Sequence, residues 1–292
     1  RPALNCEDRS QVSISKITDA FERSASQQRA ALIPYIAASN PLPASTVPLM
    51  HQLVAAGADV IELGVPFSDP MADGPVIQRA AEHAIRHGIG LKDVLAMVAE
   101  FRQTDQVTPI VLMGYANPIE RMGQETFVKQ AAAAGVDGVL VVDYPPEEAA
   151  PFVALLDSHD MAPIFLLAPT STDARVAAVG KLAKGYVYYV SLRGVTGAGH
   201  LNTDEVATQL TKIRRHVKIP VGVGFGISDA ETASRVAEVA DAVVIGSKLI
   251  DVMNQAWQSL PQDQQTEAAV SAGHDWLKHI RQALEQITKQ AA

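Results

Sequence analysis

Short apolar segments recur along the chain, and each is followed by a turn and then by a longer segment with helical periodicity. Most of the apolar segments are hydrophobic on both faces, as the strands of a parallel sheet covered by helices must be. The pattern predicts eight strands, at residues 31–37, 59–63, 109–113, 138–142, 163–168, 185–190, 220–225 and 241–246.

The segments between these strands predict amphipathic helices, for example at residues 45–57 and 126–135. Three of them end in the same arrangement of small residue, turn and acid before the next strand, with the acids at Asp59, Asp137 and Asp241. Two of these turns carry a glycine suited to a helix C-terminus. Eight strands alternating with helices favour a closed (β/α)8 TIM barrel, although an open doubly wound sheet has the same alternation.

No linker, low-complexity segment or block of charge divides the chain. Residues 15–292 are therefore predicted to form a single barrel domain with an extra N-terminal helix that begins near Ser15. A final helix over roughly residues 264–289 is expected to pack outside the barrel. Residues 1–14 are interpreted as an N-terminal extension, either native or left from cloning.

Composition narrows the class of protein. The formal net charge of −8 argues against nucleic acid or an anionic membrane as the partner, because both require a cationic face. Cys6 is the single cysteine, so no internal disulfide can form, which suits a reducing cytoplasm. No apolar run is long enough to span a bilayer, and the first residues lack the apolar stretch of a signal peptide. The predicted location is cytoplasmic.

Candidate chemistry begins at the second strand, where Glu62 lies among aliphatic residues. Val60 and Glu62 share one strand face, so Glu62 could point into the mouth of the barrel, where the working residues of such folds lie. Partial burial there would raise the pKa of the carboxyl toward the range useful for proton transfer. A structural acid paired with a buried Lys or Arg is the alternative.

The loop that follows carries Asp69 and Asp73. Asp73 precedes a strong helix pattern and, with Pro75 near the first turn, is well placed as a helix N-cap. Asp69, between Ser68 and Pro70, suits a turn. Spacing alone therefore favours structural roles for both acids.

Three later loops are rich in glycine, namely "RGVTGAGHLNT" after strand 6, "GVGFGIS" after strand 7 and "GSKLIDV" after strand 8. Glycine lets the backbone approach a ligand, and a helix start offers unpaired amides to an anion. Many barrels hold a phosphate at the loops after strands 7 and 8, so the pattern favours a phosphate site over turn chemistry alone.

Three other features are weaker candidates. His83 and His87 share a helix face, but a third metal ligand is not evident, so no metal site is predicted. Residues 168–175, "APTSTDAR", are typical of a loop and helix N-cap rather than of a nucleophile. Tyr186 and Tyr188 share a strand face, and Tyr188, nearer the strand end, could contact a ligand.

The segment "ELGVPFSDPMADGPVIQ" (62–78) closely resembles the signature of the tryptophan synthase alpha chain family. The resemblance continues in family order through "PYIAASNP" (34–41), "LMGYANPI" (112–119), "GVLVVDYPPEEA" (138–149), "SLRGVTGAG" (191–199) and "GVGFGIS" (222–228). It covers essentially residues 15–290 and implies a (β/α)8 barrel, in agreement with the strand count.

The resemblance implies a lyase that cleaves indole-3-glycerol phosphate to indole and glyceraldehyde 3-phosphate by a retro-aldol reaction, with no cofactor or metal in this chain. It implies catalytic roles for Glu62 and Asp73. The further positions that match the family are, for the indole pocket, Tyr35, Tyr115, Tyr188 and Phe225, and, for the phosphate site, Gly197, Gly226, Gly246 and Ser247.

The family also implies a partner, a tryptophan synthase beta chain that carries pyridoxal phosphate and receives indole in an alpha2-beta2 tetramer. Pro66 and Asp69, on the loop 66–73, and the loop 191–203 are the expected contact surfaces. The chain departs from the family after strand 1, where Ser39 and Asn40 stand in place of the common Gly-Asp. Two alternatives remain at this point, a stand-alone indole-3-glycerol phosphate lyase and a catalytically silent phosphate-binding barrel.

Overall fold

A computed structural model describes residues 12–191, 203–224 and 226–287. Its strands are β1 (Ala31–Ala37), β2 (Ile61–Gly64), β3 (Ile110–Gly114), β4 (Gly138–Val141), β5 (Ala162–Leu167), β6 (Val187–Val190), β7 (Val221–Gly224) and β8 (Ala242–Ile245). All eight predicted strands are confirmed, with ends displaced by one or two residues at most.

The helices of the described residues alternate with these strands; the connections from β2 to β3 and from β3 to β4 each contain two helices, and two more follow β8. The helices are α1 (Val12–Ser26), α2 (Thr46–Ala55), α3 (Pro75–Arg86), α4 (Leu91–Phe101), α5 (Ala116–Met122), α6 (Gln124–Ala134), α7 (Ala150–Asp157), α8 (Asp173–Leu182), α9 (Thr203–Ile213), α10 (Ala230–Ala237), α11 (Ser247–Trp257) and α12 (Gln262–Glu285). None of these helices is long and apolar enough to cross a membrane.

Each strand pairs in parallel with its sequence neighbours, and β8 returns to pair with β1, where Ala31 lies opposite Ala242. The sheet is therefore a closed barrel, as predicted, and the open doubly wound alternative is wrong. Because all strands run the same way, their carboxyl ends and the loops that follow lie at one end of the barrel.

Strand alternation divides the buried side chains into two layers. Ile33, Val111 and Ile164 belong to the layer inside the barrel, whereas Ile61 and Leu63 belong to the layer between the sheet and the helices. Glu62 lies between Ile61 and Leu63 on β2, so its side chain faces inward, on the same face as Val60, as predicted.

Helix α1 closes the N-terminal end of the barrel. It begins at Val12, three residues before the predicted start near Ser15. Ile17 and Phe21 pack into the inner layer, where the ring of Phe21 lies 5.5 Å from that of Tyr186. With this end filled by side chains, a ligand can enter only from the opposite end.

The repeated turn acids join neighbouring strands at the same N-terminal end. Each acid accepts a hydrogen bond from a backbone N–H at the start of the preceding strand. Asp59 accepts from Leu32 (2.8 Å), Asp137 from Ile110 (2.8 Å) and Asp241 from Val221 (2.9 Å). Each acid also forms an ion pair with an arginine: Asp59 with Arg281 (3.1 Å), Asp137 with Arg102 (2.5 Å) and Asp241 with Arg214 (3.1 Å). The repeat is thus a device that fixes strand register.

Candidate active site

Glu62 is a fully buried carboxyl on the inner wall of the barrel. Its Oε1 accepts a 2.5 Å hydrogen bond from the hydroxyl of Tyr186, and its Oε2 has no hydrogen-bond partner among the described residues. Burial raises the pKa of Glu62 to about 7, although the bond from Tyr186 acts in the opposite direction. Among the described residues no Lys or Arg pairs with it, so this part of the chain gives no support to the alternative of a structural acid held by a buried cation.

Asp73 lies on the loop between β2 and α3. Helix α3 starts at Pro75 with Gly74 as its N-cap, so the N-cap role that spacing favours for Asp73 is wrong. The Oδ2 of Asp73 instead accepts a 3.1 Å hydrogen bond from the hydroxyl of Tyr115, and that hydroxyl accepts a 3.0 Å bond from the N–H of Ala72. Partial burial raises the pKa of Asp73, and the bond from Tyr115 opposes this shift.

A cavity of about 810 Å³ opens at the carboxyl ends of the strands and joins the two acids. Its walls contain seven of the residues predicted for the site, which are Tyr35, Glu62, Asp73, Tyr188, Gly226, Gly246 and Ser247. The fold thus brings together predicted site residues from five different strands or the loops after them.

Tyr35 and Tyr188 both line the cavity, and each is packed against a glycine. A Cβ on Gly64 would collide with the hydroxyl of Tyr35, and one on Gly224 would collide with that of Tyr188. Gly224 therefore makes room for a tyrosine rather than for a ligand. Burial, followed by the charges of Asp73 and Glu62, raises the pKa of Tyr35 well above its usual value, so its hydroxyl stays protonated.

Tyr115 takes a different place from Tyr35 and Tyr188. It is buried at the start of α5 and does not line the large cavity; it supports Asp73 from behind, with the ring of Phe67 at 5.3 Å. Phe225 and Gly197, the remaining predicted positions, lie outside the described residues.

The start of α11 forms the end of the cavity where the phosphate is expected. Gly246 is its N-cap and Ser247 its first residue, and the first amides of a helix have no partner within the helix. Gly226, in the loop after β7, lines the same region and has a positive φ of 74° that favours glycine. This arrangement can hold an anion on backbone amides.

Two features of the site were not predicted from the sequence. The first is Tyr186, which precedes β6, lies behind the cavity wall and donates a hydrogen bond to Glu62; the face that it shares with Tyr188 was a usable signal. The second is the loop after β5, from which Thr170, Ser171 and Arg175 line the cavity. Thr172 does cap α8, as expected, by accepting a 3.2 Å bond from the N–H of Arg175.

The expected partner surface is only partly exposed. Pro66 is buried, whereas Asp69 is exposed and its carboxylate accepts a 2.6 Å bond from Ser68. Met71, two residues on, is 85% exposed. The loop 191–203 lies almost wholly outside the described residues.

The histidine pair on α3 forms a packing contact. His83 contacts the carbonyl oxygen of Pro41, and its ring lies 4.9 Å from that of His87. Among the described residues, no three His, Cys, Asp or Glu side chains are grouped so that they could hold a metal ion.

A closed (β/α)8 barrel with two carboxyls in unlike surroundings, facing a helix start across one cavity, defines an enzyme of the barrel class. The family model for the tryptophan synthase alpha chain matches residues 21–279. The chain belongs to the tryptophan synthase alpha chain family.

Similar proteins agree with this assignment along nearly the whole chain. The tryptophan synthase alpha chain of Bordetella bronchiseptica is 65% identical over 278 residues, which are 95% of this chain and 98% of that protein. The corresponding protein of Cupriavidus metallidurans is 60% identical over 272 residues, or 93% of this chain and 100% of that protein.

Solved structures show the same similarity. The crystal structure of tryptophan synthase subunit alpha from Legionella pneumophila superimposes with a TM-score of 0.86 at 43% identity, over 93% of this chain and 99% of that one. A chain of the tryptophan synthase complex from Pyrococcus furiosus gives a TM-score of 0.76 at 33% identity, over 87% of this chain and 98% of that one.

Proposed function

We propose that the cavity cleaves indole-3-glycerol phosphate to indole and glyceraldehyde 3-phosphate, with Glu62 as the acid and base and Asp73 as the electrostatic partner. The alpha-chain lyase activity follows from membership of the family; the assignment of roles to residues is the proposal. The observation that carries it is the state of Glu62, a buried carboxyl with a pKa of about 7 and one oxygen free toward the cavity.

Glu62 first donates its proton to C3 of the indole ring, which forms an indolenine. The carboxylate then accepts the proton of the hydroxyl on the adjacent carbon of the glycerol chain. As that O–H bond breaks, the aldehyde forms, the bond from C3 to the chain breaks, and its electrons return to the ring. A pKa near neutrality suits a group that must both give and take a proton.

Asp73 acts on the ring nitrogen. The indole N–H gains positive character in the indolenine, and a carboxylate that accepts its hydrogen bond stabilises that charge. Asp73 lies on a loop and is less buried than Glu62, so burial penalises its carboxylate less than that of Glu62. Two acids in different environments thus take different roles.

Tyr35, Tyr188 and Phe225 surround the indole ring in this proposal, and Tyr115 acts through Asp73. Gly197, Gly226, Gly246 and Ser247 bind the phosphate through backbone amides and one hydroxyl. Support comes from the positions of Gly226, Gly246 and Ser247 around one end of the cavity.

The reaction requires only proton transfers and charge stabilisation, so we propose that this chain uses neither cofactor nor metal. We also propose that it works in the cytoplasm. The beta chain is the partner of the family, and pyridoxal phosphate belongs to it. The exposed Asp69 is the residue that we assign to the contact, whereas Pro66 is buried.

The decisive experiment measures indole release from indole-3-glycerol phosphate by the purified chain, with and without a tryptophan synthase beta chain. Slow release alone and strong acceleration by the partner are expected. In the assembled complex, Glu62→Gln should reduce turnover by several orders of magnitude while glycerol 3-phosphate still binds. Full turnover by this variant would show that the role given to Glu62 is wrong.

A further inference from the structure

The charged side chains of the cavity wall are few. Among its described residues, the acids are Glu62 and Asp73, and the only cationic side chains are Arg175 and Lys248. The proposed substrate carries a phosphate dianion, whereas the glycines and Ser247 of the proposed phosphate site supply dipoles but no full positive charge. A cation on the wall is therefore the group that can offset this charge.

The two cations differ in their surroundings. Lys248 Nζ lies 3.3 Å from Asp251 Oδ2, so a carboxylate already offsets its charge. Arg175 is half-buried, and its guanidinium makes no hydrogen bond or ion pair with any residue that the structure describes. A partly desolvated cation without a partner gains most from an incoming anion.

The position of Arg175 also suits a cation that offsets the charge of a phosphate. The N-cap bond from its own N–H to Thr172 fixes Arg175 in the first turn of α8, next to the cavity. The side chain thus starts from a rigid element and lines the same cavity as Gly226 and Ser247. The planar guanidinium can give two parallel N–H bonds to phosphate oxygens, which an ammonium cannot.

We propose that Arg175 is the cationic ligand of the substrate phosphate, in addition to the backbone amides at α11 and at Gly226. This inference rests on the proposed function. Arg175 then sets the preference for phosphorylated substrates and is not needed for the proton transfers at Glu62.

The test compares Arg175→Gln, Arg175→Lys and a control, Arg215→Gln, in the full chain. Arg215 is exposed and lies between α9 and β7, at the opposite end of the barrel. Calorimetry measures the binding of glycerol 3-phosphate and, separately, of indole, which has no phosphate. Steady-state assays with the beta chain give kcat and KM for indole-3-glycerol phosphate.

Arg175→Gln is expected to weaken glycerol 3-phosphate binding about tenfold or more, since bonds to charged groups contribute on that scale. KM should rise similarly while kcat and indole binding stay within about twofold. Arg175→Lys should recover part of the loss, and Arg215→Gln should match the unchanged protein.

Unchanged glycerol 3-phosphate binding in Arg175→Gln, with binding intact in the unchanged protein, overturns this inference and leaves the proposed function standing. An equal loss of indole binding also overturns it, because the effect is then structural. If neither the unchanged protein nor Arg215→Gln binds glycerol 3-phosphate, the proposed phosphate site itself is wrong, and the inference with it.

Discussion

The hydroxyl of Tyr186 donates a 2.5 Å hydrogen bond to Oε1 of Glu62, and both side chains are fully buried inside the barrel. The bond fixes one carboxyl oxygen and leaves Oε2 as the oxygen that can exchange a proton with a ligand. Burial disfavours the carboxylate, whereas the tyrosine stabilises it. Tyr186 therefore positions the acid and also limits how far its pKa rises.

Tyr186→Phe removes the bond that favours the carboxylate, so the pKa of Glu62 should rise above about 7. Because Glu62 must carry a proton to protonate C3, kcat/KM in the unchanged protein should fall as pH rises through about 7. In Tyr186→Phe this alkaline limb should move to higher pH. The measurement is kcat/KM for indole formation against pH in the complex with the beta chain.

Tyr189→Phe is the matched control, because Tyr189 lies on β6 but belongs to the layer that faces the helices. Its alkaline limb should coincide with that of the unchanged protein. An alkaline limb that stays in place in Tyr186→Phe would show that another group limits the reaction at high pH.

Glu62→Gln should make the fold more stable above neutral pH while abolishing turnover. The pKa of Glu62 is raised in the folded state from its ordinary 4.5 to about 7. The stability that the buried, protonated carboxyl contributes is therefore fully present below about pH 4.5 and is lost as pH rises through about 7. Gln cannot ionise and can still accept the bond from Tyr186. The gain in free energy of unfolding should approach about 3 kcal/mol above pH 7 and vanish in acid.

Denaturant unfolding at a series of pH values from 4 to about 8 measures this gain directly. Glu238→Gln, an exposed substitution of the same kind, should show no such dependence on pH. A difference between Glu62→Gln and the unchanged protein that is the same at every pH would contradict the raised pKa.

The fold could be predicted from the sequence because its signal is repeated eight times. Each strand is apolar on both faces and is bounded by turn residues, so an error in one boundary does not change the count. Closure could not be predicted from the count; it depends on the pairing of Ala31 with Ala242, which no local pattern reveals.

The site was predicted less evenly. Alternation along β2 was enough to turn Glu62 inward, because the aliphatic residues on both sides of it identify the outer face. Asp73 could not be separated from an N-cap by spacing, since the actual cap, Gly74, differs by one residue. Arg175 gave no signal, because an arginine in the first turn of a helix is normally a solvated residue and only the packed barrel turns it toward a cavity.

Tyr115→Phe should weaken catalysis through Asp73 rather than through contact with the substrate. The change removes the bond that stabilises the Asp73 carboxylate and the acceptor for the N–H of Ala72. The pKa of Asp73 should rise further, so the acid limb of kcat/KM should move to higher pH. At neutral pH a loss of about tenfold is expected from a misplaced loop.

Tyr144→Phe serves as the comparison, because the hydroxyl of Tyr144 binds Gln124 and Glu120 at the surface and does not line the large cavity. That variant should leave both limbs of the pH profile unchanged. If Tyr115→Phe changes KM alone and the acid limb stays in place, Tyr115 does not act through Asp73.

Ser39 is a strained residue in the loop after β1. Its φ of 67° lies in the left-handed region, and its side chain is completely buried. Within the part of the chain that the structure describes, the hydroxyl has no hydrogen-bond partner, whereas the backbone N–H donates a 2.8 Å bond to Thr46 Oγ1. The side chain therefore adds cost without a compensating contact.

Ser39→Gly should raise the free energy of unfolding by about 1 kcal/mol, because glycine adopts this φ freely and the unpaired hydroxyl is removed. Thermal unfolding should show a Tm about 2 °C higher. Ser39→Ala removes only the hydroxyl, and Gln28→Gly relieves only an exposed positive φ of 54°, so these two variants separate the contributions. A loss of stability in Ser39→Gly would mean that the packing of the Ser39 Cβ outweighs the strain in this loop.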